Sequence, residues 1–276
     1  MPWAQIAWFG ALLAAGYAPV LWRLAQQWEG DMGHGVFVPV ISAYLVWRKR
    51  EELLAVKPAP SWLGLAVVLY GGLQLYIATL GAELFLARTA FIITLVGVVL
   101  LLGGPELVRK LAFPLFLLLF MVPIPAVVYN AITFPLQLLA SRLAGDALML
   151  LQIPVLREGN ILELPEQRLS VVEACSGIRS LLSLSFLCLV YGYFFEKRNW
   201  VRVVLFAATV PIAILANASR VTLTGILTEV KPELAEGFFH SASGWVIFMV
   251  ALFALIAFHQ ALSRVFQPRR QAEDPA

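Results

Sequence analysis

The chemistry of this chain is concentrated in a few residues. Cys175 stands in Val171–Ser180, which reads Val-Val-Glu-Ala-Cys-Ser-Gly-Ile-Arg-Ser, where a polar loop meets a long apolar run. A thiol at a helix start on a membrane surface is acidified by the helix dipole and the free N–H groups there, and so becomes a nucleophile. Cys188, the other cysteine, lies mid-run among Leu, Val and Phe. It illustrates the alternative, cysteine as a small apolar residue. On one helix the two would lie ~20 Å apart at 1.5 Å rise, beyond disulfide reach.

A base is needed beside such a thiol, and the chain has three histidines. His240, in Phe-Phe-His-Ser-Ala-Ser-Gly-Trp, begins the last apolar run, and His259 lies at its far end. His34, in Gly-His-Gly-Val-Phe-Val-Pro, precedes the second run. The plain alternative for His240 is an interfacial ring bonded to a loop carbonyl. Arg220 sits in Ala-Asn-Ala-Ser-Arg-Val-Thr-Leu-Thr-Gly. A charge among small and apolar residues at membrane depth is costly and is a functional candidate by default, against the alternative of snorkelling to headgroups. Arg179 is its rival, one turn after Cys175 on the same helix face, with a salt bridge to Glu173 as the bland reading. Glu173, Ser176, Arg179, Asn217 and His34 are the candidate supporting or substrate-binding residues. Glu163, Glu166 and Glu173 give their loop a negative character. No zinc pattern, phosphate loop or Gly-x-Ser-x-Gly elbow occurs, so no metal or cofactor is expected.

The elements that must position these groups are membrane spans. The chain is 61% hydrophobic and 13% charged, against about half and about a quarter in soluble domains. The net charge of +3 comes without a basic, aromatic-interleaved stripe, so no nucleic acid is expected. Runs of apolar residues read as Trp3–Trp22, Gly35–Trp47, Trp62–Leu80, Leu84–Leu102, Leu111–Tyr129, Ile178–Phe195, Trp200–Ala216 and His240–Leu262. Pro114, Pro123 and Pro125 kink or break the fifth. The first lacks a basic leader and reads as a retained span.

The fold class expected is therefore an all-α membrane protein. It is a polytopic helical bundle of about eight transmembrane helices, with an interfacial helix and a small extracytoplasmic β-hairpin loop. The interfacial or re-entrant helix is Asn130–Leu151, where Leu136, Leu139, Leu143, Ala147 and Leu150 repeat at helical spacing, with Arg142 and Asp146 elsewhere. The hairpin falls in Gln152–Ser170, around Val155, Ile161 and Leu169 with Gly159-Asn160. Residues 1–263 form one polytopic domain containing the loop 152–176, and 264–276 form a disordered cytoplasmic tail. Arg48-Lys49-Arg50, Arg109-Lys110, Lys197-Arg198 and Arg264 with Arg269-Arg270 put one side in the cytoplasm, together with both termini. Cys175, Arg220, His240 and His34 then share the opposite side.

Glu-Ala-Cys-Ser-Gly-Ile-Arg-Ser, Asn-Ala-Ser-Arg-Val-Thr and Phe-His-Ser-Ala-Ser-Gly-Trp, in that order, resemble the exosortase/archaeosortase family. Gly33-His34-Gly35 with Val38-Pro39 and the Trp47-Arg48-Lys49-Arg50 stop also look like it, so the resemblance runs from about His34 to Trp245. It implies a multi-pass membrane cysteine endopeptidase or transpeptidase with Cys175, Arg220 and His240 as its catalytic set. The implied partners are membrane-anchored proteins with a C-terminal sorting tail, made of a Pro-Glu-Pro motif, a transmembrane helix and a basic end. The implied location is the bacterial inner membrane, with the site facing outward.

Two other classes compete. A transporter or flippase would line a pathway with proline-broken helices, but it normally places its charges near the bilayer midplane. A scaffold for polysaccharide assembly would carry no chemistry, and substituting Cys175 would change nothing.

Overall fold

The computed structural model describes residues 3–28, 33–165, 168–171, 177–230 and 237–266, without the side chains of 3–7, 33, 177–179, 230 and 237–241. By its contacts the chain falls into two compact units, Met1–Pro125 and Ala126–Ala276.

The first unit contains α1 (Trp3–Trp28), a 3-10 turn (Gly33–Val36), α2 (Phe37–Arg48), α3 (Arg50–Leu54), α4 (Trp62–Leu80), α5 (Leu84–Gly103) and α6 (Pro105–Leu117). Its centre is the α4–α5 hairpin. Glu83 opens α5 by accepting from the Leu86 N–H at 2.6 Å, satisfying one orphan donor of the first turn. The two helices meet through glycine. A Cβ on Gly97 would stand 2.8 Å from the Val68 nitrogen, and one on Gly64 would strike the Leu101 backbone. Tyr17 brings α1 onto this pair. Thr94 donates to the Ala90 carbonyl at 2.8 Å, which leaves its oxygen to accept from the buried Tyr17 hydroxyl at 2.7 Å. Gly104, at φ +86°, turns the chain from α5 into α6, a conformation only glycine adopts without strain.

The expected Leu111–Tyr129 span is not one helix. α6 ends at Leu117, a 3-10 turn covers Leu118–Met121, and Val122 is extended. Pro123 and Pro125 cannot donate backbone hydrogen bonds, so the helix cannot continue through them.

The second unit begins with α7 (Ala126–Leu150). Three strands follow: β1 (Leu156–Glu158), β2 (Ile161–Glu163) and β3 (Arg168–Ser170). It ends with α8 (Gly177–Phe195), α9 (Asn199–Val230) and α10 (Gly237–Val265). The strands form one antiparallel sheet in the order β1-β2-β3, with Glu158 opposite Ile161 and Leu162 opposite Leu169. The loop thus holds a three-stranded meander rather than a two-stranded hairpin. Its core face is carried by Leu162 and Leu169, with Ile161 39% exposed, because successive strand side chains point to opposite faces. Leu162, Leu169 and Val171 pack on Ala140, Ala144 and Leu148 of α7 and Val221 of α9.

That packing also sets the face of α7. Thr133, Ala140, Ser141, Ala144 and Leu148 are buried, whereas Leu139 and Leu150 are exposed. The small-residue stripe faces the protein because it lets the sheet approach, and Ser141 donates to the Gly159 carbonyl at 2.8 Å.

α8, α9 and α10 share a core of Leu184, Cys188, Val201, Leu205, Ala213, Ala251 and Leu255. Cys188 is 2% exposed, as its mid-run position suggested. Glu196, between α8 and α9, ties their ends to α10. It accepts from Arg198 Nη2 at 2.9 Å, from the Lys197 and Arg198 backbone N–H groups at 2.8 Å, and meets the His259 ring at 3.2 Å. His259 in turn bonds the Tyr191 hydroxyl at 2.8 Å. Arg202 donates to the Gly192 and Glu196 carbonyls at 3.1 and 2.9 Å, capping the orphan carbonyls that end α8. Arg198 Nη1 reaches the Phe266 carbonyl at 3.0 Å. The Arg198 guanidinium, and then the other donors, hold the Glu196 carboxyl down at about 2 against the opposing effect of burial.

Four helices among the described residues are long and apolar enough to cross a membrane: Trp62–Leu80, Leu84–Gly103, Asn199–Glu229 and Ala242–Val265. Pro105–Met121 and Ala126–Leu150 add a fifth if they make one broken span. The expected eight also counted Trp3–Trp22, Gly35–Trp47 and Ile178–Phe195. The first falls within the 26 residues of α1, where the side chains of 3–7 are not described. α2 has only 12 residues, ~18 Å at 1.5 Å rise, short of the ~30 Å hydrocarbon core. α8 itself runs 19 residues, Gly177–Phe195, and its part with described side chains, Ser180–Phe195, is apolar. Of the expected tail, Arg264 and Val265 belong to α10, and 267–276 lie outside the described residues.

Two outcomes follow. Gly64→Ala must separate α4 from α5, because its Cβ meets backbone that cannot turn aside; a loss of about 1–3 kcal/mol is expected. Gly72→Ala, with open space around it, should be neutral in the same unfolding titration in detergent. Glu196→Gln should cost roughly 2 kcal/mol at neutral pH by removing a charge-assisted acceptor. The folded carboxyl titrates below the unfolded value of about 4.3, so its contribution is present above that pH and is lost as pH falls toward 2. The gap between wild type and variant should therefore close across that window.

Candidate functional site

The ends of α9 and α10 set the level of the site. From Asn199 to Arg220 is ~31 Å at 1.5 Å rise, one hydrocarbon thickness. From Arg264 back to Gly244 along α10 is ~30 Å by the same rise. Arg220 and Gly244 thus stand at the end of the three-helix group remote from Glu196.

There the two helices touch through a side chain and a gap. The Arg220 guanidinium lies against Gly244, and a Cβ on that glycine would stand 3.0 Å from Arg220 Cζ and Nη2. The absence of a side chain at residue 244 is what makes room for the cation. Thr224 donates to the Arg220 carbonyl at 3.0 Å and Thr222 to that of Ala218 at 2.9 Å. Both hydroxyls are thereby satisfied within the helix.

Arg220 lines a cavity of about 330 Å³, its open mouth included. Ser180 of α8, Asn217 and Arg220 of α9, and Gly244 of α10 surround the mouth. Leu184, Ala213, Phe248 and Ala251 lie one to two turns deeper. Asn217 and Arg220 are three residues apart, on one helix face. The chemistry available is a fixed cation with several donors beside an amide and a hydroxyl, over an apolar floor. That combination suits an anion or a polarised carbonyl attached to an apolar group.

Arg220 and Asn217 are thus brought to one cavity. Glu173, Cys175 and Ser176 lie outside the described residues. Arg179 is in the first turn of α8 and His240 in the first turn of α10, both without described side chains. His240 precedes Gly244 by one helical turn, and Ser180 follows Cys175 by five residues. His34 belongs to the first unit, where it is buried in the 3-10 turn. Burial pushes its ring toward the neutral form, against a hydrogen bond with the Phe120 backbone. His259 is part of the Glu196 cluster instead.

The sequence reading passed over Gly244, Ser180 and the alanines of the floor. Ala213 and Arg220, like Gly244 and Ala251, are seven residues apart, two turns along one face; that small-residue spacing was the available signal. It also passed over Arg88 of α5, which is 4% exposed and whose Nε and Nη2 have no hydrogen-bond partner among the described residues. Among the described residues no three His, Cys, Asp or Glu side chains gather as a metal site would need.

The family model described as transmembrane exosortase matches residues 7–257. No curated protein and no solved structure matches the chain.

Gly244→Ala tests the seat of the guanidinium. Its Cβ meets only the far end of a flexible side chain, so the fold should persist while Arg220 is displaced. Phenylglyoxal should then modify Arg220 several-fold faster than in wild type, read by mass spectrometry; an unchanged rate would show that the side chain does not rest on residue 244.

Proposed function

The chain belongs to the transmembrane exosortase family, and on that premise we propose that it is a membrane cysteine transpeptidase that cleaves sorting tails from exported proteins. The observation that carries this reading is the Arg220 guanidinium at the mouth of a cavity among α8, α9 and α10. Cys175 stands two residues before α8 begins, and His240 stands in the first turn of α10. Arg220 and His240 thus belong to two of the helices around that mouth, and Cys175 precedes the third in the sequence.

In this reading the Cys175 thiol is acidified by the start of α8 and gives its proton to His240. The sulfur attacks the scissile carbonyl carbon. A C–S bond forms, and the carbonyl electron pair moves onto oxygen. Arg220 stabilises that oxyanion with fixed charge and directed donors. Collapse breaks the C–N bond, and the leaving amine takes the proton from His240. A thioester remains on Cys175. An amine or water then attacks it, gives its proton to His240, and releases the thiol. Asn217 would orient the substrate backbone beside Arg220. Glu173, Ser176 and Arg179 would surround the nucleophile.

Orientation follows from charge. Lys197, Arg198, Arg202 and Arg264 gather at the Glu196 end, which is the cytoplasmic side by the positive-inside rule. The Arg220 end then faces the exterior of a bacterial inner membrane, where exported, membrane-anchored tails arrive. Within the first unit Arg50 and Lys110 mark its own cytoplasmic end by the same rule, Lys110 donating to the Glu52 carbonyl at 3.4 Å. A pathway for a solute would instead require charge near the bilayer midplane.

Processing of a co-expressed protein ending in a Pro-Glu-Pro motif, a transmembrane helix and a basic end tests the reading. Wild type should shorten it, and Cys175→Ala should not. Arg220→Lys should lose most activity, at least 100-fold, because an ammonium lacks the planar fork. Arg179→Lys should retain more. Normal processing by Arg220→Lys with a dead Arg179→Lys would transfer the role to Arg179.

A further inference from the structure

We infer that the cavity below Arg220 is a subsite for an aliphatic side chain, that of the substrate residue supplying the scissile carbonyl. Ala213 and Ala251 set its depth. The inference rests on the peptidase reading of the same site and adds a specificity to it.

The cavity is polar at one end only. Asn217 and Arg220 stand at the mouth, whereas Leu184, Ala213, Phe248 and Ala251 form the floor. A carbonyl held at the guanidinium carries its own side chain on the adjacent carbon, within a few ångströms of that oxygen. From the mouth, the space available to this side chain runs inward between α9 and α10. The lining runs from Arg220 to Ala213 and from Gly244 to Ala251, each ~10 Å along a helix.

The floor offers such a group no hydrogen bond. A carboxylate, amide or ammonium entering it would shed water without a replacement partner, which is unfavourable. An apolar side chain would instead leave water for apolar walls. Ala213 and Ala251 are buried, at 5% and 4% exposure, and come from two different helices. A leucine at either position would occupy the space that the substrate's side chain needs.

The test uses the full chain in detergent with the tailed substrate, after the cleaved bond has been located by mass spectrometry of the product. The residue supplying the carbonyl is varied among Gly, Val, Leu and Asp. Wild type should favour Val or Leu over Gly by at least 10-fold in kcat/KM, with Asp slowest. Ala213→Leu and Ala251→Leu should lower the Leu-to-Gly ratio at least 10-fold. Ala213→Gly should raise it. A ratio is read because a poorly folded variant loses both substrates alike. Cleavage with one flat ratio in all four enzymes would overturn the subsite and leave the peptidase standing. Failure of wild type to cleave any of the substrates would overturn both.

Discussion

A bilayer supplies no hydrogen bonds, and this constraint governs the second unit. Its last three helices carry no Asp, Glu, Lys or Arg between Arg179 and Glu196, between Arg202 and Arg220, or from residue 237 to residue 263. Glu196 and Arg220 stand at two levels about 30 Å apart, one hydrocarbon thickness. At one level every partner of Glu196 comes from the chain itself. Arg198, two backbone N–H groups and His259 surround it, and Arg202 covers the end of α8. That cluster joins the α8–α9 turn to the end of α10, and so fixes the three helices in axial register. The register matters at the other level, where a shift of one helical turn would take Gly244 away from Arg220.

Small residues serve two opposite purposes in this protein. Between lipid-exposed helices apolar burial gives little drive to associate, so close backbone packing has to supply it. Gly64 and Gly97 do this for α4 and α5. Ala140 and Ala144 do it for α7 and the sheet, and Gly225 for α7 and α9. At the site the same residue types face each other without closing up. Gly244 yields its side-chain space to a guanidinium, and Ala213 and Ala251 border an unfilled volume. Interiors normally pack to crystal density, and an unfilled volume costs dispersion contacts. Its position beneath Arg220 is what gives it meaning.

The sheet has a similar logic. Three strands of three residues each are too short to be stable alone. They persist because Leu162, Leu169 and Val171 complete a core begun by α7 and α9. Val171 is fully buried there, so the chain leaves the sheet from a fixed point before reaching the segment that holds Cys175. The exposed Arg168–Glu163 ion pair at 2.7 Å adds little, since screening and side-chain entropy offset such pairs.

What the sequence determined by itself was whatever depends on local composition and period. Apolar runs marked α4, α5, α9 and α10, because a bilayer imposes length and hydropathy directly on the chain. The prolines at 123 and 125 marked a break, because a missing N–H acts locally. Arg220 stood out as a charge out of place, and Cys188 as one cysteine among apolar neighbours. Tertiary structure decided everything that depends on a partner from another element. The face of α7 went to Ala140, Ser141, Ala144 and Leu148 and not to Leu139 or Leu150, because a sheet had to approach it. The core register of the strands fell on Leu162 and not Ile161. His259 became a ligand of Glu196, a residue 63 positions away. Gly244 became the seat of Arg220 only when two distant helices were set side by side, since a missing side chain has no local signature. The physical reason is common to all four: hydropathy is a property of a segment, whereas complementarity is a property of two surfaces and appears only when they meet.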